Sequence, residues 1–113
     1  MIRVIYRWKV QPGAEDIFVQ AWTQGTRAIQ AMCKGARGSF LLRDQLAPTE
    51  FIGIACWDSV EDCQLFWRGP RPDPEAARIV AEVSTRVSRL IFDEVQDLSL
   101  PALACAQALP TAA

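Results

Sequence analysis

The sequence predicts an α+β domain in which four antiparallel strands carry helices on one face, in the order βαββαβ. Three observations predict it. Residues 2–10 alternate with period two: Ile2, Val4, Tyr6, Trp8 and Val10 fall on one face, and Arg3, Ile5, Arg7 and Lys9 on the other. That is a strand with one strongly apolar side. Residues 14–32 place Phe18, Ala21, Trp22, Gly25, Ala28, Ile29 and Met32 at spacings of three and four, a single stripe along a long helix. Residues 51–57, FIGIACW, have the length and composition of a buried strand and run through Asp58-Ser59 into a short helix ending in Phe66-Trp67.

The elements follow in order. Gln11-Pro12-Gly13 breaks the first strand. Glu15 and Asp16 open the first helix, where acids complement the helix dipole. Gly25 lies on the apolar stripe and costs the helix about 1 kcal/mol relative to Ala, so close packing or open room is expected there. Lys34-Gly35 ends this helix. Residues 38–44 form a second strand, 45–49 a polar turn, and 50–57 a third strand paired with the second as a hairpin. Ser59, with Asp62 three residues on, caps the short helix at 59–68. RGPRPDP is a rigid link, and Asp73-Pro74 is a favourable N-cap and first helical residue. A helix is expected over 74–89, with Ala76, Val80, Val83 and Val87 inward and Arg78, Glu82 and Arg86 alternating in sign outside. Residues 90–97 read as the last strand, and the domain spans 1–97. The tail, 98–113, is rich in Ala, Leu and Pro; it is expected to be partly ordered or to wrap a partner subunit.

With 113 residues the chain is expected to be one domain. A chain this short buries only about 60–70% of its unfolded surface, so a partner would help complete the core. The net charge is −1 and no basic run occurs, which argues against nucleic acid. No apolar run approaches the ~20 residues of a membrane span. The N-terminus enters a strand at once, without a signal-peptide layout, so a cytoplasmic protein is expected. Cys33, Cys56, Cys63 and Cys105 form no CxxC, and with no His in the chain there is no Cys/His zinc pattern. They are expected to be reduced thiols, with Cys56 and Cys63 packing as small apolar residues. No metal is expected.

This order of elements is ferredoxin-like. Helices on one face leave the other uncovered, with Arg3, Ile5 and Arg7, or alternatively Ile52, Ile54 and Cys56, needing cover. A second sheet packed face to face would supply it. The sequence resembles the antibiotic biosynthesis monooxygenase family of the dimeric α+β barrel superfamily. The matching residues are Pro12-Gly13, Phe18 and Trp22, Ala36-Arg37-Gly38-Ser39, Arg43-Asp44, and Trp57-Asp58-Ser59. The resemblance covers residues 2–97.

It implies a homodimer with a hydrophobic pocket between sheet and helices in each subunit. One chemical group of the family looks like cofactor-independent oxygenases of polyketide-type aromatics; the other looks like haem-degrading monooxygenases. The haem group's Asn, Trp and His positions fall here at Tyr6, at Phe66 or Trp67, and near Ala76-Ala77. The chain contains neither His nor Asn, so the proximal haem ligand is absent and no cofactor is expected. Tyr6, Trp8, Phe66 and Trp67 are the candidate pocket-lining residues, and Trp22 and Trp57 are assigned to the core. A base would have to be a carboxylate of raised pKa. Asp93 and Glu94, in the predicted last strand, are the candidates, although pairing with Arg3 or Arg7 across the sheet competes with that role. The resemblance thus implies a small protein that binds an aromatic or apolar metabolite and acts as a cofactor-independent monooxygenase. The alternative is a non-catalytic ligand-binding or accessory dimer that lacks the family's polar site residues.

Overall fold

The computed structural model describes residues 1–100; the tail expected from 98 onward lies outside the described residues from position 101. The elements are β1 (Ile2–Val10), α1 (Glu15–Met32), β2 (Ala36–Arg43), β3 (Glu50–Trp57), α2 (Val60–Arg68), α3 (Pro74–Val83) and β4 (Ser84–Asp93). The strands form one antiparallel sheet in the order β2-β3-β1-β4, the ferredoxin-like arrangement expected from the element order.

Local chemistry sets most of the boundaries. The Ser59 hydroxyl accepts from the Asp62 N–H at 3.2 Å, and the Asp73 carboxylate accepts from the Ala76 N–H at 3.0 Å with Pro74 in the first turn. Each cap satisfies a backbone donor that the helix cannot satisfy itself. After α1, Gly35 turns the chain at φ +83°, a conformation open to glycine and strained for other residues. It also has to be glycine for space, since an added Cβ would lie 2.2 Å from the Asp62 carboxylate.

The helix expected over 74–89 is shorter, and the last strand starts earlier. α3 stops at Val83 and β4 runs from Ser84 to Asp93. The Ser84 hydroxyl donates to the Val80 carbonyl at 2.5 Å, closing the last turn. From there the chain pairs with the free edge of β1. Thr85 and Val87 are β-branched and favour a strand, and nine paired positions along β1 outweigh the weak helical charge pattern. Arg78 does pair with Glu75 and Glu82, but Arg86 belongs to the sheet. Val87, assigned to the helix stripe, is exposed on β4.

The core lies between the sheet and the helices in two clusters. Ile2, Val4, Trp57 and Cys63 form one, and Trp8, Val10, Phe18 and Phe51 the other; Tyr6 packs against both. Among the described residues no helix covers the opposite face of the sheet. Register places Arg3 beside Cys56, Ile5 beside Ile54 and Arg7 beside Ile52, so the two sets expected to need cover are one surface. Phe40, Leu42, Leu90 and Phe92 extend it and leave about half of their surface in solvent.

Candidate functional site

Small residues open a cavity between the two core clusters. Gly53 sits on the sheet floor, where a Cβ would come within 2.7 Å of the Trp8 ring, so its absence lets that indole lie against the strand. Gly25 and Ala76 let α1 and α3 approach closely, with only 3.5 Å between a Cβ built at 25 and the Ala76 methyl. Ala21, Ala36, Ala55 and Ala77 complete the small-residue wall. The resulting cavity has a volume of about 480 Å³, which falls within the range of small-molecule sites.

Most of its rings come from three elements. Tyr6 and Trp8 on β1 are stacked with centroids 5.3 Å apart, Trp22 lies on α1, and Phe66 and Trp67 end α2. All four pocket candidates, Tyr6, Trp8, Phe66 and Trp67, therefore line one space. Trp57 is 2% exposed and belongs to the core, although its edge reaches the wall. Trp22, expected in the core, is only half-buried and lines the cavity. Its place on a regular apolar stripe concealed this: a stripe reports which side faces inward, and says nothing of whether that side is filled.

The polar groups gather at the α2 and β4 side. The Trp67 indole N–H donates to the Tyr6 hydroxyl at 3.0 Å, tying β1 to α2. The Arg89 guanidinium lies over the Trp67 ring, 3.8 Å from its centroid, and Arg71 lies over Phe66 at 4.4 Å. Arg71 also donates to the carbonyls of Phe66, Trp67 and Gly69 at 2.7 to 3.1 Å, capping α2 from the proline-rich link. Burial pushes the Tyr6 phenol above its ordinary pKa, against the pull of the Trp67 N–H and of the Arg89 and Arg86 charges. At neutral pH Tyr6 is thus a proton donor with one lone pair already engaged. Burial likewise pushes the nearby Cys63 thiol up to about 11, which makes it an unreactive packing residue.

Neither candidate base lies in this space. Asp93 is exposed at the end of β4, and Glu94 follows the strand and accepts from Arg3 Nε at 2.8 Å, the cross-sheet pairing that competed with a catalytic role. Among the described residues the cavity wall holds one carboxylate, Asp73. Both its oxygens are engaged, one by the Ala76 N–H and the other by Gln24 Nε2 at 2.9 Å. Arg86, Arg89, Arg71 and Asp73 were not singled out as site residues from the sequence. The misplaced boundary between α3 and β4 hid the first two, and the proline-rich link gave no pattern that would reveal the others.

A ferredoxin-like sheet with an aromatic-walled cavity under its helices defines a class of fold that serves several chemistries, so its family must come from comparison. Residues 1–86 match the family model for antibiotic biosynthesis monooxygenase, and the chain belongs to that family. No curated protein matches it. Among solved structures, it is similar to SnoaB, a cofactor-independent oxygenase from Streptomyces nogalater, with 23% identity, TM-score 0.73, and 86% of this chain and 95% of that one covered. A family protein of Bordetella bronchiseptica is similar at 24% identity and TM-score 0.73, covering 84% and 97%. One from Deinococcus radiodurans has 12% identity and TM-score 0.72, covering 90% and 100%. At these identities the structural likeness establishes the fold. No helix among the described residues is long and apolar enough to cross a membrane.

Proposed function

We propose that the protein is a cofactor-independent monooxygenase acting on an electron-rich aromatic molecule held in the cavity, and that it works as a homodimer in the cytoplasm. One observation carries the reading. An aromatic-walled space of about 480 Å³ ends in a hydroxyl braced by an indole N–H and in guanidinium groups. Flat apolar walls suit a fused-ring substrate, and the donors suit an oxygen on which negative charge develops. Membership of the family supports this, as does likeness to a structure described as a cofactor-independent oxygenase.

The chemistry asks little of the protein beyond a dry, cationic site. A substrate methylene loses a proton to solvent, and the carbanion transfers an electron to O₂. Recombination and return of a proton give a hydroperoxide, and loss of water leaves a carbonyl, so CH₂ and O₂ become C=O and H₂O. Tyr6 and the arginines would stabilise the enolate form of the carbanion.

The uncovered sheet face supports the dimer, since a contiguous apolar patch of this kind marks an interface. A second copy presenting the same face would bury Ile5, Ile54, Leu90 and Phe92 on both sides.

The test is oxygen uptake with anthrone, whose oxidation to anthraquinone consumes one O₂ and releases one water. Turnover that falls at least tenfold in Tyr6→Phe and in Trp67→Phe supports the reading. No uptake above the uncatalysed rate overturns it for this substrate type. The engagement of both Asp73 oxygens favours a second reading, a ligand-binding dimer without catalysis, which predicts binding of aromatics with no oxygen uptake. Sedimentation tests the dimer separately: a stable monomer at micromolar concentration would overturn it.

A further inference from the structure

The inner surface of β4 carries two arginines that a regular strand could not both present. Side chains three apart on a strand point to opposite faces. Here a register shift falls between Arg7 and Trp8, so that Trp8 opposes Arg86 and Arg7 opposes Ser88, with Val87 as the extra residue. This β-bulge brings Arg86 opposite Trp8 and Arg89 opposite Tyr6, both on the helix-covered side and both on the cavity wall. Bulges are the usual device for re-aiming a side chain next to a site.

Among the described residues neither guanidinium has a carboxylate partner. Arg71, the third guanidinium on the wall, is occupied by backbone carbonyls. The one wall carboxylate, Asp73, is occupied by its cap and by Gln24. The chain as a whole has a net charge of −1, so this local excess of cations does not reflect a basic protein. Both arginines are exposed residues of the cavity wall, and Arg89 is seated over the ring of Trp67.

We propose that the cavity selects an aromatic ligand carrying an anionic oxygen, a carboxylate or an acidic enol or phenol, held between Arg86 and Arg89 with its rings against Trp8 and Trp67. The proposal rests on reading the cavity as the ligand site and specifies the substrate class. A planar anion suits two forked donors, each able to make paired hydrogen bonds. Where the anion is the enolate of the reacting methylene, no base is needed, because that proton has already passed to solvent.

The experiment is calorimetric titration of the protein with 2-naphthoate and with its neutral counterpart, 2-naphthamide. Charge-assisted hydrogen bonds of about 1.5–3 kcal/mol correspond to a preference for naphthoate of roughly ten- to hundredfold. Arg86→Gln and Arg89→Gln should each weaken naphthoate about tenfold and leave naphthamide within about twofold. Arg86→Lys, which keeps the charge, should recover part of the loss and guards against a merely misfolded variant. Equal affinity for the two probes overturns the proposal while leaving the ligand site standing. Preference for naphthoate that survives both Gln substitutions overturns the assignment to these arginines. Failure of both probes to bind overturns the site and the proposal together. Naphthoate preference with no anthrone oxidation would sustain the proposal and reject the oxygenase reading.

Discussion

Removing the Tyr6 hydroxyl tests whether the bond between β1 and α2 holds the aromatic wall in place. Tyr6→Phe deletes one oxygen and leaves the Trp67 indole N–H, which now donates to it at 3.0 Å, without that partner. A neutral hydrogen bond contributes about 0.5–1.5 kcal/mol net, and a buried donor left unsatisfied costs about 1–3. Trp67 is half-buried beside the cavity, where water can reach it, so the lower part of that range applies and a loss of about 1 kcal/mol is expected. For a domain of this size that lowers Tm by about 4 °C. Trp67→Phe alone should cost more, because it also removes the surface on which Arg89 stacks. The double variant isolates the bond itself: the two losses should fall short of additivity by about 1 kcal/mol. The assay is urea unfolding of the four proteins at one fixed protein concentration, since self-association would otherwise shift the midpoints. Additivity within about 0.3 kcal/mol would show that the two side chains do not interact, and the account of the site as a braced aromatic wall would fail.

Three further outcomes are expected. Gly53→Ala forces the Trp8 ring off the sheet floor and should destabilise the protein by about 1–3 kcal/mol, read as a fall in urea midpoint; an unchanged midpoint would show that the floor has slack. Asp73→Ala removes the α3 cap and the contact with Gln24, with an expected loss of about 1 kcal/mol in thermal unfolding, while Asp73→Ser should recover most of it. Burial raises the Cys63 thiol from 9.0 to about 11, so the folded protein keeps a proton that the unfolded chain releases. The stability this supplies is complete below pH 9 and is lost as pH rises to about 11, at up to roughly 1.4 kcal/mol per pH unit. Urea midpoints should fall across that window and fall less steeply in Cys63→Ala; equal slopes would remove Cys63 as a cause.

The parts of the fold that were legible in the sequence are those decided locally. The alternation of residues 2–10, the Ser59 and Asp73 caps and the stripe of α1 each depend on neighbours within about four positions, and the structure has all of them. The end of α3 was not legible, because two patterns overlap there. Val87 continues the stripe of Ala76, Val80 and Val83, and Arg86 continues the charge row of Arg78 and Glu82. What decides between helix and strand is the free edge of β1, which is distant in sequence. The same misreading removed Arg86 and Arg89 from view as wall residues. The four aromatic candidates, which fall near the family's site positions, line one cavity. Asp93 and Glu94 lie away from that cavity, because β4 ends at Asp93, opposite Ile2 at the far end of β1, and Glu94 pairs with Arg3.

The extra residue at Val87 links two surfaces that share no side chain. Downstream of it Arg89 and Ile91 face the helices, while Ser88, Leu90 and Phe92 face the bare side of the sheet. If the strand were straightened with Arg86 held in place, every residue beyond it would change sides. Leu90 and Phe92 would turn into the cavity, and the guanidinium of Arg89 would join those of Arg3 and Arg7 on the bare face. A single unpaired position thus sets the charge of one compartment and the greasiness of the opposite wall together, so that a length change in this strand could not alter what the protein holds without also altering what it sticks to.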